Sequence, residues 1–212
     1  MKKSFRWFAG LFAVSLLSIS SYALSEDLRD APVRLIDPKI PENVEGAASI
    51  LLNDTASLIR LNEARSAFGY TGSGYTVAIV DTGIDYNHPG LGGGFGAGKR
   101  VIAGFDFANN DSDPMDDHGH GTHVAGIVGS SSSSLKGVAP DCNFVALKVL
   151  KSDGTGEGTA TENALKWIIT NRTKYNIVTV NMSLGFGATP FSSSHSDFLD
   201  DEFSTLKSAN VS

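Results

Sequence analysis

The stretch YTVAIVD, residues 75–81, is β-branched and apolar until it ends on a carboxylate. Alternation between core and water is missing, so the run reads as a central parallel strand buried on both faces. RVIAGFDF (100–107), NFVALKVL (143–150) and NIVTVNMSL (176–184) carry the same pattern and predict three further strands. Between the last two lies TATENALKWIITNRTK, with Ala160, Ala164 and Ile168 on one helical face and Thr159 and Glu162 spaced as a capping box. Strand, helix and strand in that order predict a right-handed crossover within a parallel sheet. A shorter helix is expected in DTASLIRLNEARSAFG, capped at Asp54 or Thr55 and stopped at Gly69. SDFLDDEFSTLKSAN predicts another, with Leu199, Phe203 and Leu206 inward. The chain reaches Ser212 where a further strand is expected to begin. Ser130 to Ser134 form a serine run that reads as a flexible surface loop.

Outside these elements the chain changes character. Residues 1–23 place Lys2, Lys3 and Arg6 ahead of a short apolar stretch and end in Ser21-Tyr22-Ala23, the layout of an export signal cleaved near Leu24. A retained membrane anchor is the alternative, but the apolar run is short for a bilayer. Residues 24–50 hold Pro32, Pro38 and Pro41 with little periodicity and read as a linker or short leader. Residues 51–212 then form one domain. Removal of the signal leaves the acidic residues in excess, with a formal net charge of about −9, which points away from nucleic acid as a partner. Cys142 is the sole cysteine, so an exported chain would have no internal disulfide; its place after VAPD suggests a half-buried turn residue.

The densest chemistry lies in DDHGHGTHVAG, residues 116–126. His118, His120 and His123 match the imidazole spacing of an HxHxDH zinc site, but Thr122 stands where that pattern needs its carboxylate. The alternative gives His120 the working role at the first turn of a helix, with Gly119 and Gly121 leaving space beside it, His123 packed inward and His118 left in the acidic loop. In an open parallel sheet, ligands gather beyond the carboxyl ends of the strands, where Asp81 ends its run. Asp85, four residues on, is a rival carboxylate in a loop.

Three segments, VAIVDTGIDYNH, HGTHVAGIVG and VNMSLG, resemble motifs of the subtilisin-like serine proteases and occur in that family's order. The resemblance runs from about Leu51 to the last residue. It implies an α/β fold, a parallel sheet with helices on both faces that is incomplete at the C-terminus. It also implies that Asp81 and His120 are two members of an Asp-His-Ser triad. His120 would take the proton of a serine hydroxyl and return it to the leaving amine, while Asp81 fixes the imidazole tautomer. The family's two peptide-holding edges correspond to Gly154, Thr155 and Gly156 and to Ser183, Leu184 and Gly185, where an extended substrate adds as a strand. Ser183 is not expected to be the nucleophile, because NMSLG lacks the first glycine of a GxSxG elbow.

No cofactor is required by that chemistry. The loop DFANNDSDPMDD is oxygen-rich without being an EF-hand, and the resemblance suggests Asp106, Asn109, Asp111 and Asp113 as ligands of a structural calcium ion; a solvated acidic loop is the alternative. The family's AGN-like oxyanion segment and GTSMA-like nucleophile segment are missing from the sequence. The expectation is therefore the N-terminal part of a secreted or periplasmic serine endopeptidase, inactive alone, acting on protein or peptide substrates and without a stable membrane anchor. A non-catalytic peptide-binding module on the same scaffold is the second reading.

Overall fold

The computed structural model describes residues 32–35, 55–186 and 198–212. The expected export signal lies outside the described residues, as does most of the expected leader. All four predicted core strands are present: β2 (Thr76–Asp81), β3 (Val101–Asp106), β4 (Asn143–Lys148) and β6 (Ile177–Asn181). They form one parallel sheet in the order β3-β4-β2-β6. Every residue of β2 is buried, as its uninterrupted apolar run requires.

Two helices account for that double burial. Val77 and Ile79 pack with Phe144 and Ala146 against Val124 and Ala125 of α3 (His120–Gly129). Ala78 and Val80 point the other way, joining Val145 and Leu147 against Ala160, Ala164, Leu165 and Ile168 of α4 (Gly158–Tyr175). Helices thus cover both faces. Each fully buried Ile, Leu or Val contributes about 1.5–3 kcal/mol, so this central strand is where the sheet is most strongly held. After α4, β6 runs beside β2, and Ser212 pairs with the free edge of β6 through Val178 O (3.1 Å) and Val180 N (2.7 Å).

Other elements depart from the sequence expectation in instructive ways. The first helix is broken into α1 (residues 55–58) and α2 (Leu61–Phe68), because Arg60 adopts a left-handed conformation (φ 58°). Gly69 ends α2 as expected, but no residue of α2 is buried; Arg65 tethers it to the carbonyls of Gly137 and Val138. The capping box of α4 does not form: Glu157 occupies the cap, and Glu162 pairs with Lys166 one turn on. In α5 (Asp200–Ser208), Leu206 is buried together with the preceding Leu199, whereas Phe203 is 46% exposed. Glu202 takes the inward position instead, three residues from Leu199 and four from Leu206, with Lys166 of α4 3.8 Å away. Cys142 is fully buried beneath Gly129, and burial pushes its thiol pKa up. Within the serine run, Ser130 is itself buried and its hydroxyl accepts from Ser132 N.

The segment read as a linker contains a strand. β1 (Pro32–Leu35) lies antiparallel between β5 (Thr155–Glu157) and β7 (Leu184–Phe186), making a second, three-stranded sheet. Its period is invisible over four residues, and two strands distant in sequence supply its partners.

Contact between α3 and the end of β2 is close enough to need glycine. A Cβ on Gly121 would lie 2.1 Å from the carbonyl oxygen of Gly83, whereas one on Gly126 would meet nothing within 4 Å. Gly126→Ala is therefore expected to be neutral or to stabilise by up to about 1 kcal/mol through helix propensity. Gly121→Ala is expected to destabilise by about 1–3 kcal/mol or more through overpacking. Urea unfolding of both variants checks the contrast; equal effects would show that the approach is not tight.

Candidate active site

Asp81 is the last residue of β2 and is fully buried. Along the strand it shares the face of Val77 and Ile79, which is the α3 face, so alternation alone directs its carboxylate toward the helix. His120 opens α3 with its side chain 21% exposed, and its Nδ1 lies 2.8 Å from Asp81 Oδ1 and 3.0 Å from Oδ2. Asp81 Oδ1 also accepts the backbone N–H of Thr82 at 2.7 Å. The Asp81 carbonyl accepts from Val149 and Leu150, fixing the strand end to the segment after β4. A carboxylate beside Nδ1 favours the tautomer protonated there, which leaves Nε2 as the basic nitrogen of the neutral ring.

The rival Asp85 does not join this pair. Its carboxylate accepts from Asn87 N, and its own N–H donates to Thr122 Oγ1. His118 is exposed and its ring meets that of His120 edge-on at 6.5 Å between centroids. His123 is also exposed, contrary to the inward packing expected from sequence. Buried Gly121, Val124, Ala125 and Gly129 define the inner stripe of α3, and residue 123 falls off it. Gly121 does not open space beside His120 either, since it lies against Gly83. Among the described residues, no three His, Cys, Asp or Glu side chains converge in an arrangement that could hold a metal ion.

The calcium candidates are spread along their loop. Asp106 is buried and accepts from both the backbone and the side-chain amide of Asn109, while Asp111 Oδ1 accepts from Asp113 N. Asp113 accepts from the hydroxyl of Tyr86, a bond that, with burial and nearby carboxylates, raises the Tyr86 pKa to about 12. These oxygens accept from local donors, and among the described residues Asp106, Asp111 and Asp113 belong to no group of three His, Cys, Asp or Glu side chains placed to hold a metal ion. Melting temperature is expected to be unchanged between chelator-stripped and calcium-supplemented protein; a rise with calcium would show the loop to be an ion site by mass action.

The remaining two carboxylates of that loop, Asp116 and Asp117, belong to the site instead. Asp117 pairs with Lys148, which is 1% exposed and also donates to the carbonyls of Thr82 (2.8 Å) and Leu150 (2.9 Å). Three acceptors satisfy an ammonium that would otherwise be costly to bury. Asp116 takes hydrogen bonds from Thr82, His118, Gly119 and Thr122. Burial works against its ionised form, yet the bonds from Thr122, Gly119 and His118 outweigh it and hold the carboxyl below its usual range. The stabilisation that Asp116 gives is thus complete above about pH 4 and is lost as pH falls through the depressed value. Sequence reasoning missed Thr82 and Lys148. A lone lysine within the otherwise apolar run FVALKVL was the available signal for the second.

Strands β5 and β7 overlap the two expected edges but begin after Gly154 and Ser183, and β1 lies between them. Arg34 is paired with Thr155 on one side and Gly185 on the other, and Leu35 with Leu184. Val33 pairs with Gly156 and Phe186, and its side chain is completely buried. Asp153 orders the turn into β5 by accepting from the hydroxyl and amide of Thr155, which lower its pKa. Gly154 has φ 75° in that turn. Gly156 is required for a different reason than peptide access: a Cβ there would lie 2.2 Å from Val149 O. Ser183 Oγ donates to Asn181 Oδ1 at 2.9 Å.

Comparison with known proteins identifies the family. A model of the subtilase family matches residues 72–209. The chain is 45% identical to minor extracellular protease Vpr of Bacillus subtilis over 130 residues, 57% of this chain and 15% of the relative. It is 40% identical to thermitase of Thermoactinomyces vulgaris over 117 residues, 54% of this chain and 38% of the relative. With alkaline serine exoprotease A of Vibrio alginolyticus it shares 30% over 200 residues, 84% of this chain and 35% of the relative. The crystal structure of a cold adapted subtilisin-like serine proteinase superposes with a TM-score of 0.52 at 32% identity, covering 66% of this chain and 45% of the other. The chain thus spans less than half the length of each of these proteins. With an Asp-His pair at the crevice of a parallel sheet and a family match over residues 72–209, the chain belongs to the subtilase family.

Proposed function

We propose that this chain supplies the base and the peptide-holding groove of an exported serine endopeptidase whose nucleophile is encoded beyond residue 212. The observation that carries the reading is the Asp81–His120 hydrogen bond at a strand end, beside a groove that already holds an extended segment as a strand. In the reaction, the serine oxygen attacks the substrate carbonyl while its proton passes to His120 Nε2. The same proton then goes to the leaving amine as the carbon–nitrogen bond breaks. Asp81 keeps the other ring nitrogen protonated and stabilises the charged ring that forms between these steps.

Substrates on this reading are protein or peptide chains, bound in the extended form that β1 adopts between β5 and β7. Backbone pairing supplies affinity, and the buried position of Val33 marks a place where side chains are selected. The chemistry calls for no cofactor. Export rests on residues 1–23 and on the extracellular name of one relative.

In a product extended to include a GTS segment, His120→Ala is expected to lower turnover of a chromogenic peptide by about 10⁴ or more, while His118→Ala keeps most of it. A dead 118 variant beside an active 120 variant would reverse the assignment. The groove has its own test. A chain lacking residues 24–35 is expected to bind a labelled peptide of sequence DAPVRLID at least about tenfold more tightly than the intact chain, because the tethered competitor is gone. Fluorescence anisotropy measures this; equal affinities would place the peptide elsewhere.

A further inference from the structure

The carboxylate of Asp116 receives five hydrogen bonds. Oδ1 accepts from the Thr82 hydroxyl (2.8 Å), from His118 N (3.0 Å) and from Gly119 N (2.8 Å). Oδ2 accepts from Thr122 N (2.9 Å) and from the Thr122 hydroxyl. The direction of both hydroxyls is fixed by what they accept in turn. Thr82 Oγ1 takes the N–H of Gly121 at 2.9 Å, and Thr122 Oγ1 takes the N–H of Asp85 at 2.8 Å. With those lone pairs engaged, each hydroxyl proton points to Asp116. α3 has no cap from its own cap residue, Gly119, whose φ is 102°.

These bonds join two pieces of chain that carry the two halves of the pair. Thr82 follows Asp81, and its N–H is bonded to Asp81 Oδ1. Gly119, Gly121 and Thr122 surround His120. We infer that Asp116 is a positioning residue for His120, its carboxylate tying the first turn of α3 to the turn after β2 through Thr82 and Thr122. The inference rests on the reading of His120 as the general base. An ionised carboxylate is specifically required, since all five partners are donors and an amide would turn one NH₂ toward at least two of them.

The test is spectroscopic and uses the whole chain, labelled with ¹⁵N-histidine. Long-range proton–nitrogen spectra distinguish a ring protonated at Nδ1 from one protonated at Nε2. The wild type is expected to hold His120 in the Nδ1-protonated form. Asp116→Asn is expected to give a mixture of tautomers and to lose the slowly exchanging Nδ1 proton, while the thermal transition remains cooperative. Thr82→Val is expected to act in the same direction and Thr82→Ser to restore the wild-type spectrum. A folded Asp116→Asn chain with an unchanged His120 spectrum would overturn the proposal. Should that variant not fold, the Val and Ser variants at 82 decide: identical His120 spectra overturn it, and a change in Val alone supports it. Failure of the functional reading looks different. In that case His120→Ala would leave peptide hydrolysis by the extended product intact whatever the spectra show.

Discussion

A fully buried carboxylate at the end of a parallel strand must be satisfied by donors, and this requirement organises the surroundings of Asp81. Thr82 N–H and the His120 ring supply the donors. For His120 to reach Asp81, the first turn of α3 has to lie directly on the strand end, closer than any side chain at position 121 allows. The Thr82–Gly83 turn after β2, the glycine at 121 and the acceptor at Asp116 are consequences of holding one imidazole against one carboxylate. The same contact explains why Lys148, one strand over and in register with Asp81, is buried: it draws Thr82 O, Leu150 O and Asp117 together behind the pair.

The site therefore inherits its precision from the sheet. β2 sits between β4 and β6, with α3 on one face and α4 on the other, so the position of Asp81 is fixed by packing on every side. The groove is built differently. β5 and β7 are three residues each, and among the described residues both are joined into this second sheet by the extended segment β1 that lies between them. On the proposed reading, a rigid Asp–His pair beside edges that pair with extended backbone would select substrates by shape of chain before sequence.

The four core strands were legible because strands buried on both faces leave uninterrupted apolar runs, and Asp81 was legible because its run ends on a charge. His120 emerged from a motif whose neighbours suit a closely packed helix. Features decided by distant partners were hidden. β1 could not be read from four residues without β5 and β7, and the capping box failed because Glu162 had a competing lysine four residues on. Phe203 and His123 were assigned inward on apolar character or spacing alone, while their neighbours set the inner stripe one position away. Asp116 and Asp117 were counted with the oxygen-rich loop, because sequence proximity to Asp106 and Asp113 is visible and hydrogen bonds to Thr82 and Lys148 are not.

Turnover by an Asp81→Asn variant, in a product extended to include a GTS segment, bears on the whole arrangement at once. Asparagine preserves the shape at position 81 but can present a donor to Nδ1, which favours the wrong tautomer of His120. A fall in kcat on the order of 10⁴ with KM nearly unchanged is expected, since only the transition state loses an interaction. A variant that keeps kcat within about tenfold of the wild type would contradict it, and would leave the hydrogen bond between Asp81 and His120 as a structural contact alone.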